Sequence, residues 1–363
     1  MISKIYKITH LLFLIFFYQS IAYSKTFDQK NVHNYFSALV SLEKNKSIES
    51  INYFNSSKEL KESHPSYIKK YMFSLVLGGK VKKAIREIKM TKNKNFVDFF
   101  EAQLLLVLDS IKKNDFRKSL DQINNLKRYE EEDTFKYIIV NFLREYIYLF
   151  NNKKIKLNLD NQFGKMSLIN RTLQNCYLEH PNTKSLFEKL TNYNEEGNSR
   201  YLFFYANYLI SQKNYLEAKN IFKEVNPISS TLLISQSKKW IDKENYDGFR
   251  SFFSCKNSND IIGEFIFIIS NLYSSEDEIT KSNFYFNLSN FLNPKFKFNL
   301  ALLADNYLQK EEFTKAKKIL IKKMKFIIGI ELKKYLISFI KRMIEMNLLN
   351  ILIVNSTKSK NHH

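Results

Sequence analysis

Apolar residues recur along most of this chain at intervals of three and four, the period of a helix with one buried stripe. They do so in paired segments separated by a few polar residues, and the stretch from Ile266 to Leu320 shows the plan most plainly. Ile266, Ile269, Ser270 and Tyr273 lead to Ser282, Phe286, Ser289 and Pro294, and then Leu300, Leu303, Ala304 and Tyr307 lead to Ala316 and Leu320. Ser270 to Ala304 is 34 residues, as is Ser282 to Ala316, and the small residues within each pair stand 12 apart. Two antiparallel helices approach closely only where small residues meet, so Ser270 with Ser282 and Ala304 with Ala316 mark the contact points of two successive hairpins. No single hairpin can bury its apolar stripe alone, which predicts a stack of about three or more.

The spacing extends to other parts of the chain. From Asn31 to Ser57, Tyr35, Ala38, Leu39 and Leu42 precede Ile51 and Phe54, with Ala38 12 residues before Ser50. From Tyr67 to Met90, Tyr71, Ser74 and Leu75 precede Gly78-Gly79, and Val81, Ala84, Ile85 and Ile88 follow. That turn falls about two residues short of the period, and the glycines are expected to allow a tightened turn. Phe100 to Leu126 forms a third unit, with Val107 and Ser119 again 12 apart. From Glu130 to Asn198 the register is lost. Helices are predicted there at Phe135–Phe150, Ser167–Leu178 and Thr183–Leu190, as a divergent hairpin pair or as a break between two arrays. Register returns with Leu202, Tyr205, Ala206 and Leu209 before Tyr215, Ala218 and Phe222, and a weaker unit follows at Leu233–Phe253. A last helix is predicted at Glu331–Met346. The apolar run Leu348–Val354 after it lacks the polar face on which an array normally ends, so it is expected to dock on a partner or on a second copy.

Small residues at fixed offsets between large apolar ones, in units closed by Pro227 or Pro294, resemble the tetratricopeptide repeat, W-x2-L-G-x2-Y…A-x3-F…P. The likeness covers roughly two thirds of the chain after its first residues and is to the exported, Lys- and Asn-rich alphaproteobacterial type. It implies an all-α fold, a right-handed α-solenoid of antiparallel helix-turn-helix repeats. The repeats would occupy residues 25–129 and 199–325, with a divergent helical segment at 130–198 and a terminal helix and tail at 326–363. It also implies a concave groove lined by the first helix of each repeat. Carried over position by position, the groove residues are Arg200, Phe203 and Asn207, then Glu264, Phe267 and Asn271, then Phe298, Ala301 and Asp305. Asn207 and Asn271 would bond an extended backbone, and Phe203 and Phe267 would hold an apolar side chain between them. The implied role is a non-catalytic scaffold or adaptor binding a peptide or protein partner; the alternative is the helical superhelix module of a cell-wall-processing, peptidoglycan-directed system.

Residues 1–24 change the picture of compartment. Lys4 and Lys7 precede the apolar run Leu11–Phe17, and Ala22-Tyr23-Ser24 places small residues where a signal peptidase reads. The run is shorter than the roughly 20 residues of a spanning helix, so a cleaved signal peptide and a periplasmic protein are expected, with an uncleaved inner-membrane anchor as the alternative.

The formal charge of +21 would by itself suggest nucleic acid. Export removes that partner and leaves weak contact with anionic lipid or an acidic envelope polymer. Lys80, Lys82, Lys83, Arg86 and Lys89 form a basic run on a helix whose other side is Val81, Ala84, Ile85 and Ile88; it reads as a solvated face or an anionic docking patch.

Cys176 and Cys255, the 2 cysteines, fall in different repeats and are expected to be buried and unpaired, although an export compartment permits pairing. Cys176 and His180 stand one turn apart, yet a zinc site takes three or four ligands. G-x-S-x-G, H-E-x-x-H and Cys-x-x-Cys are all missing from the sequence. Neither catalysis, a cofactor nor a metal is therefore expected.

Overall fold

Short polar turns between amphipathic segments produce a chain of helical hairpins, and a computed structural model describes it for residues 28–156, 162–192, 199–227, 230–310 and 312–320. All regular structure among the described residues is helical, with no strand. The expected signal segment and the helix and tail expected after residue 326 lie outside them.

The helices α1 (Gln29–Glu43) and α2 (Ser47–Ser56), α3 (Pro65–Leu77) and α4 (Val81–Met90), and α5 (Phe100–Lys112) and α6 (Phe116–Asn124) pack in pairs. The single helix α7 (Thr134–Asn152) follows, and then the pair α8 (Lys165–Leu178) and α9 (Thr183–Thr191). Beyond it come α10 (Ser199–Ser211) with α11 (Tyr215–Ile221), α12 (Leu232–Asp242) with α13 (Asp247–Phe252), α14 (Ser258–Ser275) with α15 (Ile279–Leu292), and α16 (Leu300–Gln309) before a helical stretch at 313–320. Among its described residues the segment without register is thus one long helix and one hairpin. Its interior is polar at one point, where the buried Glu145 of α7 accepts from Asn170 Nδ2 at 2.9 Å and Gln174 Nε2 at 3.2 Å, both on α8.

One turn recurs at the tips. Asn45, Gly79, Asn114, Lys213 and Asp277 sit two residues after the first helix, with φ of 55, 72, 59, 61 and 57°. The next amide reaches back five residues each time, Lys46 to Ser41 at 2.8 Å, Lys80 to Leu75 at 2.7 Å, Asp115 to Ser110 at 3.0 Å, Asn214 to Leu209 at 2.9 Å and Glu278 to Tyr273 at 2.9 Å. This is the Schellman closure, which satisfies carbonyls that the helix end leaves free. The tightened turn expected at Gly78-Gly79 is therefore corrected. It has the same length as the others, and Gly79 only fills the left-handed place that other residues occupy elsewhere. Gly78 packs closely for a different reason, since a Cβ there would lie 2.8 Å from Ile51 Cδ1 and push that methyl aside.

The small residues meet at the 12-residue spacing. Ser50 Oγ donates to the Ala38 carbonyl at 2.9 Å, and Ser270 Oγ to the Ser282 carbonyl at 2.7 Å, so these hydroxyls bridge the two helices of a hairpin. Ser74 and Ser237 instead bond the carbonyl four residues back on their own helix, at 3.0 and 2.7 Å. Ala206, Ala218, Ala304 and Ala316 are fully buried.

In an open solenoid each repeat touches only its neighbours. The α14–α15 hairpin departs from that rule, because α14 lies against α5, α7 and α8, and α15 lies against α3 and α4. Phe73 meets Phe284 with ring centroids 4.9 Å apart, and Phe135 meets Tyr273 at 4.5 Å. Lys112 Nζ donates to the Leu292 carbonyl at 2.5 Å, and Ser258 Oγ to Asn114 Oδ1 at 3.0 Å. Lys315 Nζ reaches the Asn45 carbonyl at 2.8 Å, joining the late helical stretch to the first turn.

The cysteines also differ from expectation. Cys176 at the end of α8 and Cys255 after α13 form a disulfide across 79 residues of chain, with Cα atoms 5.6 Å apart. They were expected unpaired because different repeats were assumed to keep their ends apart. The path of the chain after α13 returns to α8 and brings them together.

Candidate functional site

The nine positions carried over from the repeat groove part company in the structure. Phe203 and Asn207 on α10 are buried. Phe203 stacks on Phe249 at 5.4 Å and meets Phe296 edge-on at 5.4 Å, while Asn207 Nδ2 donates to the Phe253 carbonyl at 3.1 Å. As lining of an open groove these two are corrected, because the segment after α13 packs over the face they were expected to expose. Phe298 is buried against Trp240 and Phe252, with centroids 6.0 and 5.2 Å away. Ala301 packs on the core, and Asp305 is half-buried on α16. Phe203 and Phe267 do not face each other across an open space.

Arg200, Phe267 and Asn271 come together. They line a pocket of about 380 Å³ between the start of α8, the start of α10 and the middle of α14, with Met166, Ile169 and Ile268 among its other walls. Each wall has a local cause. Met166 and Ile169 project from successive positions on the first turns of α8, and Ile268 and Asn271 follow the same face of α14. Glu264 lies one turn before Ile268 and is 3% exposed. It is held by Arg200, whose Nε donates to Oε1 at 2.8 Å and Nη2 to Oε2 at 2.6 Å, with a third bond from Nη2 to Asn299 Oδ1 at 2.7 Å. The guanidinium carbon stands 4.2 Å from the Phe267 ring centroid and 5.1 Å from that of Phe296. This bidentate pair fixes the guanidinium as a flat wall of the pocket, with its charge met by a buried carboxylate. Burial pushes the neighbouring Tyr201 phenol up, and the Glu264 charge adds to the shift. Tyr201 is therefore a neutral donor at any ordinary pH.

What remains for a ligand is a mainly apolar recess with the Asn271 amide and Lys165 among its polar lining. Asn271 is exposed, and among the described residues its Nδ2 makes one long bond, of 3.4 Å, to the Phe267 carbonyl on its own helix. A space of this size takes one large side chain or a small apolar group and not a folded element. Sequence reasoning missed Met166 and Ile169, because α8 belongs to the segment without register and nothing in the spacing tied it to α14.

The basic run divides. Lys83 turns inward over the Tyr71 ring, 5.5 Å from its centroid, and reaches Asn55 Oδ1 at 3.3 Å, whereas Lys82, Arg86 and Lys89 are exposed together on the far flank of α4. Val81, Ala84, Ile85 and Ile88 are buried as the stripe requires. No protein-family model, curated protein or solved structure matches this chain.

Proposed function

We propose that this chain is a non-catalytic scaffold built from tetratricopeptide-like hairpins, a solenoid whose last hairpins fold back on its first, and that it takes an apolar side chain of an extended peptide partner in the pocket between α8, α10 and α14. The observation that carries the reading is the convergence of Arg200, Phe267 and Asn271. They were assigned to the ligand face from two separate repeats, and they line one recess. The recurring Schellman tip supports the repeat architecture. The Cys176–Cys255 disulfide supports an exported, periplasmic location, since such bonds persist in oxidising compartments. Among the described residues no helix is long and apolar enough to cross a membrane.

The test is a photo-crosslinking side chain placed at Asn271 in the intact chain, in cells. It is expected to trap a peptide or protein, with the same group at the exposed Lys58 trapping none, and Ile268→Ser is expected to reduce the adduct sharply in a chain that retains its helical circular dichroism at the assay temperature. Equal trapping at both positions, or turnover of peptidoglycan by the purified chain, overturns the reading.

A further inference from the structure

A second cleft, of about 470 Å³, lies between α4, the end of α5 and the end of α15, far in sequence from the first. Lys82, Arg86, Lys89, Lys112 and Lys113 line it against a single carboxylate, Asp109. That carboxylate is already committed, with Lys113 Nζ at 2.7 Å and Lys89 Nζ at 2.5 Å. Burial works to raise Asp109, yet those two bonds hold it below the usual carboxylate range. Lys112 is held below the usual lysine range by burial, with Asp260 opposing and Lys82 and Lys295 adding to the shift. One of its protons goes to the Leu292 carbonyl, which leaves two donors. No hydrogen bond or ion pair engages the Lys82 and Arg86 head groups among the described residues. The apolar part of the lining is Ile85, Met90 and Phe291, and Met90 is 64% exposed. Like charges gathered in a recess repel, and an excess of this size is neutralised best by a group carrying more than one negative charge.

We propose that this cleft binds a phosphate monoester that carries an apolar arm, with Lys82, Arg86 and Lys112 around the phosphate and Met90 and Phe291 against the arm. Such a group occurs at the head of an anionic lipid and on small soluble esters. The phosphate brings three acceptor oxygens and nearly two charges, and the arm covers a large side chain that the fold otherwise leaves in water. This site is independent of the peptide pocket, because the two share no residue.

The test titrates the full chain with hexyl phosphate and with inorganic phosphate by calorimetry, and sediments it with phosphatidylcholine vesicles with and without phosphatidic acid. Hexyl phosphate is expected to bind saturably and more tightly than inorganic phosphate. Lys82→Glu/Arg86→Glu is expected to weaken it by about tenfold or more, and Met90→Ser by a smaller factor. The pair Lys223→Glu/Lys243→Glu, with the same change in net charge, is expected to leave it unchanged. All these positions are exposed, so unaltered melting curves confirm intact folds. Sedimentation with the phosphatidic acid vesicles assigns the lipid as the source, and binding of hexyl phosphate alone assigns a soluble ester. Equal weakening by both charge-reversed pairs, inorganic phosphate binding as tightly as its ester, or no saturable binding overturns the proposal.

Discussion

Two ionisable residues show how a single side chain can work against or for this fold. Asp260 stands in the first turn of α14 and accepts the Ser254 amide at 3.0 Å, yet burial raises its pKa from the usual 3.8 to about 6. A carboxyl group raised in this way binds its proton more tightly in the folded chain than in the unfolded one. Its effect on stability is therefore most favourable below the usual carboxylate range and is lost as pH rises from about 4 to about 6. Asp260→Asn is expected to be more stable than the native chain by about 2 kcal/mol at pH 7 and to lose most of that advantage at pH 4, in urea titrations at both values. A constant difference between the two pH values would refute the assignment. Glu264 is the opposite case, because its buried charge is matched by Arg200. Arg200→Met strands the carboxylate and is expected to destabilise by about 3 kcal/mol or more, whereas Arg200→Met with Glu264→Leu is expected to recover most of that loss. The pair was visible in the sequence only as two groove positions in separate repeats. Spacing placed the two residues at equivalent positions of separate repeats but could not show that they would spend their charges on each other.

At the level of helices and turns, local chemistry was the most readable part of the chain. The 12-residue offset from Ala38 to Ser50 and from Ser270 to Ser282 is a packing distance written into sequence, and the hydroxyl bridges at 2.9 and 2.7 Å realise it. The tips were misjudged at Gly79, since counting residues between apolar stripes measures the stripe and not the turn. That repeated turn makes a prediction. Lys213 holds a φ of 61° with an exposed side chain, a conformation that only glycine adopts freely. Lys213→Gly is expected to stabilise by about 0.5–1 kcal/mol, while Gly79→Ala is expected to destabilise by about 1 kcal/mol or more, both read from denaturation midpoints. The disulfide was not legible, because pairing depends on where a loop returns in space. Cys176→Ser is expected to lower stability by about 4 kcal/mol on loop-closure grounds, and alkylation of the unfolded native chain without reductant is expected to add no mass. Labelling of both thiols under those conditions would contradict the bond.

Over the whole molecule, the least legible feature was the return of α14–α15 to α3, α4 and α5. A helical period says which face is buried, and not which partner buries it. One clue was nevertheless available. Ile261, Ile262, Phe265, Ile266, Phe267 and Ile269 on α14, and Phe284, Tyr285, Phe286 and Leu288 on α15, spread well beyond a single stripe of either helix, and all are buried. A helix with an apolar surface wider than one stripe belongs between other elements, so the width of this pattern pointed to an inner layer. Reading only its Ser270–Ser282 stripe hid that. The closure predicts that α3 and α4 do not behave as an independent end of an array. Hydrogen exchange in α3 is expected to match that in α15, and Phe284→Ala is expected to speed both together. Faster exchange in α15 alone would show that the first hairpins stand by themselves. The contact between Asn287 and the Leu77 carbonyl joins residues 210 apart. A ribosome releases the chain from its N-terminus onward, so α3 emerges with Phe73 and Leu77 bare and waits for most of synthesis before their cover is made. A cell producing this protein is therefore expected to shield that seat until α15 arrives, since apolar surface left bare during folding nucleates aggregates.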